Sequence, residues 1–187
     1  MGSLAIVPAA GHGRRFGGDK LVADVGGVPM LDRTIQCLID GGADQVVVVL
    51  PPTGRFDAVR LLTHPAVLVA VNPDPSRGMF SSVQIGVEAA DGDPLLLLPG
   101  DMPFVSGRTV AALLAAQARL GGIVVPRFGG RRGHPIVLPA RWRAPIRAAS
   151  ATDTLDRLVK SWGADRLELD VEDAGVLRDV DARGDLS

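Results

Sequence analysis

Residues 7–21 read VPAAGHGRRFGGDKL, the end of an apolar strand followed by a loop in which Gly11, Gly13, Gly17 and Gly18 surround Arg14, Arg15 and Lys20. Glycines let backbone N–H groups approach an anion, while Arg and Lys supply the charge that phosphate oxygens attract. The chemistry indicated is phosphate binding, because a merely flexible surface turn does not require basic residues. Two standard motifs each fail at a specific position. G-x-G-x-x-G begins with Gly11 and Gly13 but meets Phe16 where the third glycine belongs, which disfavours hydride-transfer enzymes. G-x-x-x-x-G-K-[ST] keeps Gly13 and Gly18, but Asp19 intervenes before Lys20, and Leu21 replaces the hydroxyl that would hold Mg²⁺. The chain has 18 Arg and only Lys20 and Lys160 as lysines, so a lysine in this loop suits a compact point charge. Arg15 and Lys20 are the candidate phosphate ligands, and neighbouring Arg14 is the weaker one.

Carboxylates follow further along. In PLLLLPGDMPFV, Asp101 stands just past the carboxyl end of a buried strand, in a turn stiffened by Pro99 and Pro103. Phosphoryl transfer uses a metal to neutralise developing charge, and Mg²⁺ is typically held by one or two carboxylates plus phosphates and water. Near the end, RDVDARGDL presents Asp179 and Asp181 on one side of an extended chain, a second pair of candidate carboxylates. The stretch NPDPSRGMFSSVQIGVEAA places Gly78, Ser81 and Ser82 at a helix start, where N–H groups and hydroxyls can meet a ligand or simply cap the helix. RFGGRRGHPIVL offers Arg131 and Arg132 to an anionic acceptor, with Gly129, Gly130 and Gly133 making the turn pliable. A phosphate nucleophile is already deprotonated, so His134 suits positioning better than general base catalysis.

These residues need a scaffold. Apolar runs at 4–8, 45–50, 67–71, 94–98 and 122–126 alternate with helical patterns at 30–42, 54–64 and 79–90, the order of a parallel βαβ sheet covered on both faces. A further helix at 106–119 starts from Ser106 as N-cap. Residues after 122 read as a strand, a long turn and a returning strand at 134–138. A helix at 153–162, capped by Thr152 or Asp153, and short strands near 165–170 and 176–180 complete one domain spanning 1–187. The expected fold is α/β, a three-layer α/β/α Rossmann-like arrangement with a mostly parallel sheet. In such sheets ligands bind outside the carboxyl ends of the strands, where the glycine loop and Asp101 lie.

Composition excludes several alternatives. With 187 residues, 47% hydrophobic, a net charge of −1 and no basic block, the chain is not disordered and has no bulk charge for nucleic acid. Its longest apolar runs fall far short of the roughly 20 residues that span a bilayer, and its start lacks a signal-peptide pattern, so the expected location is cytoplasmic. Cys37 reads as a buried thiol, and His12, His64 and His134 share no zinc-ligand spacing.

PAAGHGRRFGGDKL resembles the signature L-A-A-G-x-x-x-R-x-G-x-x-K of nucleotidyltransferases with the nucleotide-diphospho-sugar transferase fold, in particular the molybdenum cofactor cytidylyltransferases of the MobA-like NTP transferase group. The resemblance implies that Ala9, Ala10, Gly11 and Gly13 contact the nucleotide, that Arg15 and Lys20 hold its triphosphate, and that Asp101 and Asp181 hold Mg²⁺. It also implies that Gly78 and Ser82 belong to the nucleotide site, and that Arg131, Arg132, Gly133, His134 and Pro135 border the acceptor pocket. Guanylyl-transferring members tend to carry A-G-G where Ala9-Ala10-Gly11 stands, which favours CTP over GTP. The implied acceptor is the terminal phosphate of molybdopterin, with a molybdoenzyme or its chaperone as a further partner. The chain departs from the family at ASATDTLDRLVKSW, which replaces G-D-x-G-A-R near the acceptor site. Another phosphorylated acceptor, a sugar phosphate or cofactor precursor, therefore remains as an alternative, as does a non-catalytic nucleotide- or cofactor-binding protein.

Overall fold

A computed structural model describes residues 2–11, 16, 20–150, 152–161 and 166–186. Strand β1 (Leu4–Pro8) is completely buried and pairs in parallel with β2 (Gln45–Leu50) and β4 (Leu95–Leu97). Beyond β2 lies β3 (Val67–Val71), also parallel. On the other side, β7 (Ile136–Leu138) runs antiparallel between β4 and β5 (Ile123–Phe128), and β8 (Arg166–Asp170) closes that side parallel to β5. A two-residue β6 (Arg131–Arg132) folds back on β5. The sheet order among the described residues is β3-β2-β1-β4-β7-β5, with β6 and β8 both paired to β5. Strand order reverses between β1 and β4, so the chain leaves their carboxyl ends beside one crevice.

Successive strand residues point to opposite faces, and the core divides accordingly. Ala5, Val7, Val46, Val48 and Leu96 pack against α1 (Met30–Asp40) and α3 (Gly107–Leu120). Leu4, Ile6, Val47, Val49 and Leu97 face α2 (Met79–Ala89), α4 (Arg143–Ala148) and α5 (Leu155–Ser161). This is the expected three-layer arrangement. Helix α1 buries Leu31, Ile35 and Leu38, one stripe at helical spacing, and full burial of each such side chain contributes roughly 1.5–3 kcal/mol. Helix α2 approaches β1 so closely that a Cβ on Gly86 would fall on Ile6, which fixes the height of the serines at the helix start above the sheet.

Several local expectations are corrected. Segment 54–64 forms only a short 3₁₀ turn, Arg60–Thr63, because the buried Asp32 carboxylate accepts from the Arg60 and Leu61 backbone N–H groups, at 3.1 and 2.8 Å. Residues 176–180 are not a strand: they include the end of a 3₁₀ turn, Ala174–Leu177, and extended chain bonded to other loops. Ser106 caps α3 as expected, accepting from Thr109 N. At α5 the capping hydroxyl is Thr154, which accepts from Arg157 N at 3.3 Å, rather than Thr152 or Asp153. The returning strand β7 sits between β4 and β5 instead of forming a simple two-strand hairpin.

Candidate active site

The turn after β4 is held from three sides before any ligand is considered. Gly100 N donates to Pro8 O at 3.0 Å, Thr34 Oγ1 on α1 donates to Gly100 O at 3.1 Å, and Val180 N donates to Asp101 O at 2.9 Å. The Asp101 side chain is thereby aimed at Lys20, whose Nζ lies 2.8 Å from Asp101 Oδ2 and 3.3 Å from Asp181 Oδ1. Asp181 is itself fixed: the Asp185 carboxylate accepts from Asp181 N at 2.9 Å and Ala182 N at 2.7 Å, and these bonds hold the Asp185 pKa below the usual carboxylate range. Two carboxylates converge on one cation position. That donor set suits an ion such as Mg²⁺, which completes its shell with water and phosphate oxygens. Among the described residues no group of three or more His, Cys, Asp or Glu side chains could hold a metal.

Around this cluster, Ala9, Ala10, Gly11, Lys20, Gly78, Ser82 and Asp101 line a single cleft of about 150 Å³. The structure thus brings these sequence-predicted residues together, while Gly13 and Arg15 lie outside the described residues. Phe16, which breaks the dinucleotide motif, is buried with Val25, Met30 and Val180. Ser82 stands in the first turn of α2 and faces Asn72, whose side-chain Nδ2 lies 2.9 Å from both Ser81 Oγ and Ser82 Oγ. Gly78 precedes that helix at φ 94°, a conformation that favours glycine.

A second cavity of about 430 Å³ adjoins the cleft, and the two share Pro8, Gly78, Met79 and Pro99 as a common wall. Its lining is mainly apolar, with Phe80, Val83, Val125, Ile136 and Val159 contributing. Arg132, Gly133 and His134 are among its lining residues. Arg132 Nε is engaged with Glu168 at 2.5 Å. Arg131 is exposed on β6 and lies outside this lining, and Pro135 is buried behind it. Thr152 and Asp153, from the segment that departs from the family pattern, also line the cavity. Burial holds His134 below its ordinary pKa of 6.5, against the opposing pull of Asp101 and Asp179. Asp179 thus acts on His134 while Asp181 pairs with Lys20.

The C-terminal segment bonds to the backbone of His134, which lines the larger cavity, and of Asp101, which lines the smaller one. Asp173 Oδ2 accepts from Ser106 N and Thr109 Oγ1 at 2.9 and 2.7 Å, tying the segment to the start of α3. Val176 O then accepts from His134 N at 2.9 Å. A Cβ on Gly133 would fall on the Val176 carbonyl, and one on Gly175 on the Phe104 carbonyl, so both glycines are required by close approach. Asn72, Asp173 and Asp185 are positioning residues that the sequence motifs did not single out. Asp173-Ala174-Gly175 carried the one recognisable signal, since Asp readily accepts from the N–H two residues on.

The description "MobA-like NTP transferase domain" names the family model that matches residues 5–168. The chain belongs to this family. A probable molybdenum cofactor guanylyltransferase of Haloferax mediterranei is 28% identical over 168 residues, covering 89% of this chain and 75% of that protein. The molybdenum cofactor cytidylyltransferase of Escherichia coli K12 is 25% identical over 182 residues, 96% of this chain and 91% of that protein. A 2-C-methyl-D-erythritol 4-phosphate cytidylyltransferase of Rhodococcus opacus is 33% identical over 138 residues, 73% of this chain, and the match spans little more than half of that protein, 56%. Among solved structures, Rv0371c of Mycobacterium tuberculosis H37Rv superposes with a TM-score of 0.85 at 25% identity, covering 99% of this chain and 95% of that one. This MobA-like NTP transferase is a nucleotidyltransferase with an α/β nucleotide-diphospho-sugar transferase fold. Among its described residues no helix is long and apolar enough to cross a membrane.

Proposed function

We propose that the protein transfers CMP from CTP to the terminal phosphate of molybdopterin, releasing pyrophosphate. The observation that carries this reading is the convergence of Lys20, Asp101 and Asp181 beside a small cleft that shares a wall with a larger, mainly apolar cavity. An acceptor phosphate oxygen attacks the α-phosphorus in line, one P–O bond forms, the α–β P–O bond breaks, and its electron pair leaves with pyrophosphate. Asp101 and Asp181 would hold Mg²⁺, which screens the repulsion between acceptor and nucleotide and stabilises charge in the transition state. Lys20 takes up charge on the triphosphate, and Arg15 has the same role by the loop motif. Ala9, Ala10 and Ser82 border the base and ribose, and Ala10, in place of a glycine, supports CTP over GTP. His134, kept neutral by burial, orients the acceptor rather than moving a proton.

The cavity beyond Met79 supports a bulky ring-bearing acceptor over a small polyol phosphate, since about 430 Å³ of mainly apolar space would leave a polyol's hydroxyls unpaired. A second reading, transfer to a different phosphorylated acceptor, is favoured by Thr152 and Asp153 lining the cavity where the family carries G-D-x-G-A-R. Pyrophosphate release tests both. Purified molybdopterin with Mg²⁺ and CTP should give acceptor-dependent release, and GTP, ATP and UTP should not. Release with sugar phosphates instead would move the acceptor, and equal release with GTP would overturn the base assignment.

A further inference from the structure

The assignments above ask two cations to serve the same pair of oxygens. Lys20 Nζ, on a side chain only 12% exposed, occupies the position on which Asp101 Oδ2 and Asp181 Oδ1 converge. A divalent ion bound to those carboxylates would sit within a few ångströms of the ammonium, where like charges repel strongly. The carboxylates are the fixed partners. Asp101 is anchored through Thr34, Pro8 and Val180, and Asp181 through the Asp185 carboxylate. Lysine carries its charge on a flexible four-carbon stem and is suited to move.

We propose that Lys20 is a placeholder for the divalent cation: in the nucleotide-free protein its ammonium bridges Asp101 and Asp181 and offsets one of their two charges, and it transfers to the triphosphate when cation and nucleotide arrive. This inference rests on the metal assignment of the proposed function. Cation alone binds weakly, because it must evict an ammonium that has no anion to receive it. Nucleotide supplies that anion. Cation and nucleotide therefore strengthen each other's binding, and Lys20 is the group that couples them. With Lys20 in place the two carboxylates keep a net charge of −1 instead of −2, so the cleft attracts divalent ions less strongly without substrate.

The test is a titration of Mn²⁺ into intact protein, followed by the loss of the free-ion electron paramagnetic resonance signal, without acceptor and with or without α,β-methylene-CTP. Wild type should bind Mn²⁺ alone weakly and about tenfold or more tightly with the analogue, within the usual range of coupling between sites. Lys20→Met should bind Mn²⁺ alone several-fold more tightly than wild type and lose most of the gain from the analogue. Lys20→Gln carries the same expectation if the Met variant does not fold. Unchanged or weaker Mn²⁺ binding by the folded variant, while wild type responds to the analogue, overturns the placeholder and leaves the metal assignment standing. Wild type that binds no Mn²⁺ under either condition overturns both.

Discussion

Lys20 Nζ lies 2.8 Å from Asp101 Oδ2, although 81 residues separate the two in sequence. The contact joins the loop after β1 to the turn after β4, across the point where strand order reverses. Asp181 completes the cluster from the C-terminal segment and is the more exposed of the two carboxylates. Asp181→Asn should lower turnover and raise the Mg²⁺ concentration needed for half-maximal rate, with the fold unchanged. Asp185→Ala acts one step back, by releasing the Asp181 backbone, and should cost roughly 10–100-fold in metal affinity or activity. Steady-state rates against Mg²⁺ concentration check both, and EDTA should silence the wild-type protein. An Asp185 variant with wild-type metal dependence would show that Asp181 does not rely on this support.

Gly133 and Gly175 should be intolerant of a methyl group. Each added Cβ would land on a backbone carbonyl, Val176 and Phe104 respectively, which cannot swing aside as a side chain could. Gly133→Ala and Gly175→Ala should each cost about 1–3 kcal/mol of stability. Because Gly133 lines the larger cavity, its variant should also lose acceptor affinity while retaining CTP binding. Thermal unfolding and calorimetry separate the two effects.

His134 links stability to pH in a defined direction. Its folded pKa is depressed below 6.5 by burial, so the unfolded chain binds the extra proton first as pH falls. The stabilising contribution is fully present above 6.5 and is lost as pH drops through the folded value, at a rate of at most about 1.4 kcal/mol per pH unit. His134→Gln should show a smaller loss of unfolding free energy than wild type between pH 7.5 and 5.5 in urea titrations. A variant that tracks the wild-type curve would place the imidazole in water.

Cys37 reports on folding without taking part in chemistry. It is buried on α1, and burial pushes its thiol up to about 12. Alkylation by iodoacetamide at pH 8 should be roughly a thousandfold slower than for a free thiol, and should return to the ordinary rate in denaturant. Rapid labelling of the native protein would contradict the packing of α1 against the sheet.

Much of this architecture is legible in residue pattern. Runs such as VVVVL and LLLL, short and bounded by turn residues, read as strands covered on both faces, and Asp101 after such a run marks the crevice. Segment 54–64 carries helical spacing in Phe56, Val59 and Leu62, but the Asp32 carboxylate, distant in sequence, captures the Arg60 and Leu61 backbone donors that would continue a helix. The segment 176–180 reads as a strand from its apolar Val176, Leu177 and Val180, whereas Val176 and Leu177 end a 3₁₀ turn and only the chain after them is extended. Its partners are His134 and Asp101, in loops, and no local pattern encodes them. For the same reason Asn72, Asp173 and Asp185 escaped notice: each acts through backbone or hydroxyl groups brought near by the fold. The pairing of Lys20 with both carboxylates was equally hidden, since the motifs assign them to different ligands.

The central claim is that the Lys20–Asp101–Asp181 cluster is the centre of nucleotidyl transfer. It is tested most directly by following label from [α-³²P]CTP into molybdopterin, with wild type and Asp101→Ala in parallel, and with CTP binding and thermal unfolding measured on both. The account predicts acceptor-dependent labelled product and unlabelled pyrophosphate from wild type. It predicts at least a 10²-fold loss, on the order expected when a main source of charge stabilisation is removed, from a variant that still folds. Near-normal transfer by folded Asp101→Ala would contradict it.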